Sequence, residues 1–135
     1  MKSFLRSSAA TAAILVLAFP LLRASDLPRP LLLVLDKPGG KLVLVDPIAR
    51  KVLGQVATGA GPHEVAVSAD GKTAFVANYG DQTPGQSLSV IDLEARKELR
   101  RVDLGALRRP HGMVQSQGKI YFTAEANKIV ARYDP

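Results

Sequence analysis

After residue 25 the chain settles into apolar runs of five to seven residues, rich in Val, Ile, Leu and Thr, broken by clusters of Gly, Asp and Pro. No later segment holds a helical period of apolar positions for three turns. Short β-branched runs bounded by turn residues predict strands, and the whole pattern predicts an all-β chain. The stretch GPHEVAVSADGKTAFVAN (61–78) shows the unit at its simplest: two strands joined at Asp70-Gly71, where glycine tolerates the positive φ of a tight turn.

The strands repeat. KLVLVDP (41–47) recurs as SLSVIDL (87–93) and as IVARYDP (129–135). Asp46 and Asp92 lie 46 residues apart, Asp92 and Asp134 lie 42 apart, and His63 and His111 lie 48 apart. The first two aspartates lead into similar turns, PIARKV and LEARKE, each followed by a strand that ends near a glycine, Gly59 or Gly105. A period of about 40–50 residues with four strands per unit is the mark of a β-propeller blade. The middle unit (62–105) is complete, with strands expected near 64–68, 73–78, 87–92 and 98–104. The first unit (31–59) opens at LLLVLD (31–36) and lacks an innermost strand, and the third (110–135) stops before an outermost one. The expected total is therefore 3 + 4 + 3 strands, about two and a half blades. A closed ring at this period takes roughly 170–360 residues, so the chain is read as the N-terminal portion of a larger ring. The alternative is a short open stack, which leaves edge strands bare.

The residues of this unit resemble a known family. GPHEVAVSADGKTAFVANYGD and SLSVIDLEARKELRRVDLG are similar to the YVTN-type β-propeller repeat, the class of the YncE-like and lactonase-like propellers. Phe75-Val76-Ala77-Asn78 stands for the motif that names the family, and the Ser-x-Asp-Gly-Lys turn and the Val-Ile-Asp of the third strand also match. The third unit departs, with Thr123-Ala124-Glu125 where the motif has Val-x-Asn. The resemblance covers about residues 31–135 and implies the propeller fold. It implies several activities, because such folds host many: secreted binding proteins, lactonases, and the haem- or copper-bearing propellers of denitrification. The lack of a haem-attachment cysteine and of a dense histidine cluster weighs against the last group.

The first 25 residues change the compositional picture. Lys2 and Arg6, the run SSAATAAILVLAF and the small end Ala24-Ser25 read as a secretory signal peptide, which implies a periplasmic or extracellular protein. The apolar run is too short to span a bilayer comfortably, so a retained anchor ranks second. There is no cysteine, which excludes disulfides and a lipoprotein anchor. The formal net charge is +6. Without Lys2, Arg6 and Arg23 of the leader, 15 basic face 12 acidic residues, a mild +3. The basic cluster Arg96, Lys97, Arg100, Arg101, Arg108 and Arg109 is interleaved with Glu94, Glu98 and Asp103, as on a solvated outer face. With neither an aromatic platform nor a recognition helix, it does not point to nucleic acid.

The blade topology places the candidate chemistry. The innermost strand starts at the edge where the second strand ends, so His63, Glu64 and His111 are expected at the mouth of a central channel. Asp36, Asn78 and Glu125, at the ends of second strands, are expected on the same face, with Asp81 joining from a long loop, YGDQTPGQ. Pro62 and Pro110 set φ at the strand entry. The two histidines either bond a neighbouring loop backbone or serve as metal ligand, general base or ligand contact, all within the reach of imidazole chemistry. Two histidines alone do not make a metal site, which takes three or four ligands. Glu64 and Glu125 offer carboxylates, so a divalent metal in the full-length protein stays open. Asn78 either caps its loop or meets a ligand. Asp46, Asp92 and Asp134 read as architecture, and acids do not alternate as an EF-hand requires.

Three functions follow. The first is a scaffold that binds a small molecule, polymer or protein at the channel mouth. The second is a lactonase- or lyase-type enzyme using His63 or His111 with Glu64 or Glu125. The third is a truncated fragment without activity of its own.

Overall fold

The structure, a computed structural model, describes residues 29–135. The signal peptide read at residues 1–25 lies outside the described residues. Ten strands follow one another: β1 (Leu32–Asp36), β2 (Lys41–Asp46), β3 (Lys51–Ala57), β4 (Pro62–Val67), β5 (Thr73–Gly80), β6 (Pro84–Asp92), β7 (Lys97–Asp103), β8 (Pro110–Ser116), β9 (Lys119–Ala124) and β10 (Ile129–Tyr133). One short 3-10 turn, Glu125–Asn127, separates the last two. The strands form three antiparallel sheets in the orders β1-β2-β3, β4-β5-β6-β7 and β10-β9-β8. The chain is thus all-β, built as propeller blades of three, four and three strands.

Strand β5 shows why the sheets stack. Successive side chains of a strand point to opposite faces. On one face Ala74 and Val76 pack with Leu42, Leu44 and Val56 of the first sheet. On the other, Phe75 meets Ile120, and Ala77 meets Phe122, both of the third sheet. The middle sheet is covered on both sides, so its central strand is an unbroken buried run rather than an alternation. Each large apolar side chain buried this way contributes about 1.5–3 kcal/mol. Strand β4 lies beside β1 and β8, while β3 lies beside β7. The stack therefore has an inner edge, where β4 and β8 meet, and an outer edge.

The repeated turns are built from the same bonds. Asp46 Oδ1 accepts the N–H groups of Ile48 and Ala49 at 2.9 and 2.8 Å. Asp92 Oδ1 accepts those of Glu94 and Ala95 at 2.9 and 2.8 Å. Each turn closes through an arginine in the left-handed region, Arg50 and Arg96, both at φ 53°. These aspartates are architectural, as their spacing predicts. In the β4–β5 hairpin the Ser68 hydroxyl donates to Asp70 Oδ1 at 2.6 Å, and the bond holds the Asp70 carboxyl below the usual aspartate range.

The outer arginines brace the stack. Arg96 donates to the Leu53 carbonyl of the first sheet, and Arg100 donates to the Tyr133 hydroxyl of the third at 2.7 Å. Arg101 pairs with Glu98 at 2.9 Å. Two strands begin earlier than the pattern predicts. β4 starts at Pro62, so His63 lies inside the strand, and β6 starts at Pro84, so the expected long loop shrinks to Asp81–Thr83. Both extensions carry irregular pairing, which alternation of apolar residues does not register. Among the described residues no helix is long and apolar enough to cross a membrane.

Candidate functional site

Both Pro-His pairs sit at β-bulges. In the middle sheet Pro62 pairs with Asn78 and Glu64 with Ala77, which leaves His63 as an extra residue. In the third sheet Pro110 pairs with Ala124 and Met113 with Phe122, so His111 and Gly112 together face Thr123. A bulge disrupts the ladder and re-aims the side chain at that point. Proline suits the entry because it has no N–H to give to the ladder. Tyr79 lies at a third irregularity, between the Asn78–Ser87 and Gly80–Pro84 pairs.

The re-aimed rings converge. His63 and His111 have ring centroids 4.1 Å apart. Tyr79 lies 5.2 Å from His63 and 5.4 Å from His111. Two cations flank the phenol ring: Lys37 Nζ is 5.0 Å and the Arg109 guanidinium 4.7 Å from its centroid. The Arg109 guanidinium also donates to the Asp81 carbonyl at 3.2 Å. Glu64 Oε1 stands 3.8 Å from His63 Nδ1, a nitrogen that is buried and has no hydrogen-bond partner. Three blades thus contribute to one patch: Lys37 from the first, His63, Glu64 and Tyr79 from the second, Arg109 and His111 from the third.

The backbone beneath the patch is tightly built. Tyr79 donates its N–H to Gly61 at 3.1 Å, and Glu125 donates its own to Arg109 at 3.0 Å. Gly61 has φ +57°, and a Cβ there would overlap the backbone of Gly80. Arg109 occupies the matching place before Pro110 and adopts φ 53° with a full side chain. A non-glycine residue held there costs about 1–2 kcal/mol.

Two of the residues expected at the mouth are engaged within the fold. Asn78 is 1% exposed, and its amide is committed to the fold. Its Oδ1 accepts the Gly59 N–H at 3.0 Å, and its Nδ2 donates to Ser87 and Ser89 at 3.0 Å each. Asp36 accepts the Gly39 N–H at 2.9 Å and pairs with Lys41 at 3.5 Å, so it closes its own turn. Glu125 is not the counterpart of Asn78. Ala124 pairs with Pro110 as Asn78 pairs with Pro62, so Glu125 matches Tyr79 instead. Glu125 is exposed in a cleft that His111 and Lys128 also line. Asp81 is exposed, accepts the Thr83 N–H at 3.2 Å, and shares a cleft with Lys37. Tyr79 and Lys37 escaped the sequence reading, and Arg109, read there as part of a solvated outer cluster, lies instead against the Tyr79 ring. The available signal was the contrast of Gly-Pro-His with Arg-Pro-His.

No protein-family model and no curated protein matches the chain. Solved structures do. Hydrazine synthase of Kuenenia stuttgartiensis matches at 26% identity with a TM-score of 0.62, over 77% of this chain and 31% of that one. The dihydro-haem d1 dehydrogenase NirN, in complex with DHE, matches at 19% identity with a TM-score of 0.50, over 72% of this chain and 24% of that one. Both contain β-propellers, in agreement with the stacked antiparallel sheets. The chain spans less than a third of the length of either.

Proposed function

We propose that the chain belongs to a secreted or periplasmic β-propeller of the YVTN repeat class and binds an anionic ligand at the inner mouth of its blades. The ligand is a small molecule or an acidic group of a polymer or protein. The observation that carries this reading is Tyr79 flanked by Lys37 and Arg109 beside two imidazoles. Gathering cations around one ring is poorly explained by folding alone, since exposed cation–π pairs contribute only about 0.5–1 kcal/mol. A carboxylate or phosphate seated there meets a fork of donors and a flat apolar surface. The leader at residues 1–25 supports export, and the 61–105 repeat supports the YVTN class.

The test uses the secreted protein and three probes: citrate, gluconate and inorganic phosphate. At low salt at least one binds, and Lys37→Ala or Arg109→Ala weakens it at least tenfold. Binding also falls as ionic strength rises, since exposed charges are screened beyond about 8 Å at 0.15 M. Absence of binding by all three, or binding indifferent to both substitutions, sinks the reading.

A second reading is a lactonase- or lyase-type enzyme. The carboxylate of Glu64 beside His63 favours it, because a carboxylate near an imidazole orients a general base. Replacing both histidines with alanine then abolishes turnover of a lactone or uronate substrate while the melting curve persists. Unchanged turnover removes this reading.

A further inference from the structure

We infer that His63, Glu64 and His111 form a divalent transition-metal site whose open position faces the Tyr79 shelf. Each of the three side chains offers one ligand atom, and these atoms lie within 4.8 Å of one another. The set is two imidazoles and one carboxylate. That composition suits Zn²⁺, which such sites hold with a further position for water or substrate, and also Fe²⁺. It does not suit Ca²⁺ or Mg²⁺, which take mostly oxygen ligands.

The local backbone explains how the set arises. Residues adjacent in a regular strand point to opposite faces, so His63 and Glu64 would normally diverge. The bulge at His63 breaks that alternation and brings Glu64 Oε1 to 3.8 Å from His63 Nδ1. A second bulge brings His111 across from the neighbouring blade. His63 Nδ1 is buried without a hydrogen-bond partner. Leaving such a nitrogen unsatisfied costs about 1–3 kcal/mol, and a metal bond removes that cost.

Distances are compatible with modest closure. Tetrahedral ligands around Zn²⁺ at about 2.0–2.2 Å lie roughly 3.4 Å apart. The widest pair needs a closure of at most roughly 1.4 Å, divided between two partly exposed side chains. Lys37 and Arg109 lie over the neighbouring Tyr79 ring, so the site favours an anionic donor at its open position. Only that last statement rests on the anionic-ligand reading. The metal site stands on its own geometry.

The test is calorimetric titration of the tag-free secreted protein, first stripped with chelator, with Zn²⁺ alone and no organic anion present. One equivalent binds, and Co²⁺ in its place gives the visible absorption of a four- or five-coordinate site with imidazole ligands. His63→Ala and His111→Ala each weaken Zn²⁺ at least 100-fold, and Glu64→Gln weakens it at least tenfold. His63→Gln and His111→Gln serve if an alanine variant fails to fold, and they produce the same loss. No Zn²⁺ binding by the parent protein overturns the proposal, and so does binding that survives both histidine substitutions. Zn²⁺ binding without any response to citrate, gluconate or phosphate leaves the metal site standing and removes the anionic-ligand reading instead.

Discussion

At the scale of single residues, Asn78 and Tyr79 are neighbours with opposite uses. Asn78 points inward and ties the Gly59 N–H to Ser87 and Ser89. Tyr79 points outward and carries the cations of the mouth. The difference is one step of strand alternation. Asn78→Ala leaves the buried Gly59 N–H with only a longer bond of 3.3 Å to Ser89. The expected loss is about 1–3 kcal/mol of stability, read by urea unfolding. Ligand and metal binding by the folded variant stay intact. The aspartate-to-turn assignments at Asp46 and Asp92 were legible in the sequence because a side-chain bond to the next few N–H groups is local. The commitment of Asn78 was not, because its partner Gly59 lies 19 residues away.

At the scale of elements, the strand entries before the two Pro-His pairs differ in one informative way. Gly61 and Arg109 both have positive φ, at 57° and 53°. Glycine adopts that conformation freely, and arginine does so under strain. The strained position is the one whose guanidinium reaches the Tyr79 ring. Gly61→Ala combines the positive φ with overlap against Gly80 and lowers stability by at least about 2 kcal/mol. Arg109→Gly keeps stability or raises it by up to about 1 kcal/mol, while affinity for the anionic probe falls. Thermal melting with parallel binding titrations checks both. A loss of stability in Arg109→Gly equal to that of Gly61→Ala makes Arg109 a structural residue and removes it from the site. The recurrence of Pro-His marked these strand entries plainly. The bulges did not show, because the extra residue alters pairing rather than the apolar pattern.

At the scale of the whole molecule, the site exists because two sheets stack. His63 belongs to the middle sheet and His111 to the third, and Phe75, Val90 and Ile120 fill the space between those sheets. Phe75 also meets the Tyr133 ring edge-on, with centroids 6.3 Å apart. Phe75→Ala opens this seam at a cost of about 3–5 kcal/mol, a large part of a domain stability of about 5–15 kcal/mol. Because the seam positions the imidazoles, Zn²⁺ affinity falls together with the melting temperature. A variant that melts lower yet binds Zn²⁺ unchanged separates the site from the stacking and contradicts this account.

The sequence by itself determined the strands and their grouping into three sheets. These follow from the apolar period, the turn chemistry and a repeat length that, for units of four strands, fits stacked blades. Only the tertiary structure decided which side chains meet. It spent Asp36 and Asn78 on the fold, moved Glu125 one register step away from the position expected of it, and added Lys37, Tyr79 and Arg109. The physical reason is that convergence here depends on bulges and on the approach of neighbouring sheets. Both are set by backbone pairing between residues far apart in the chain, where the pattern of hydrophobic and polar positions carries no record.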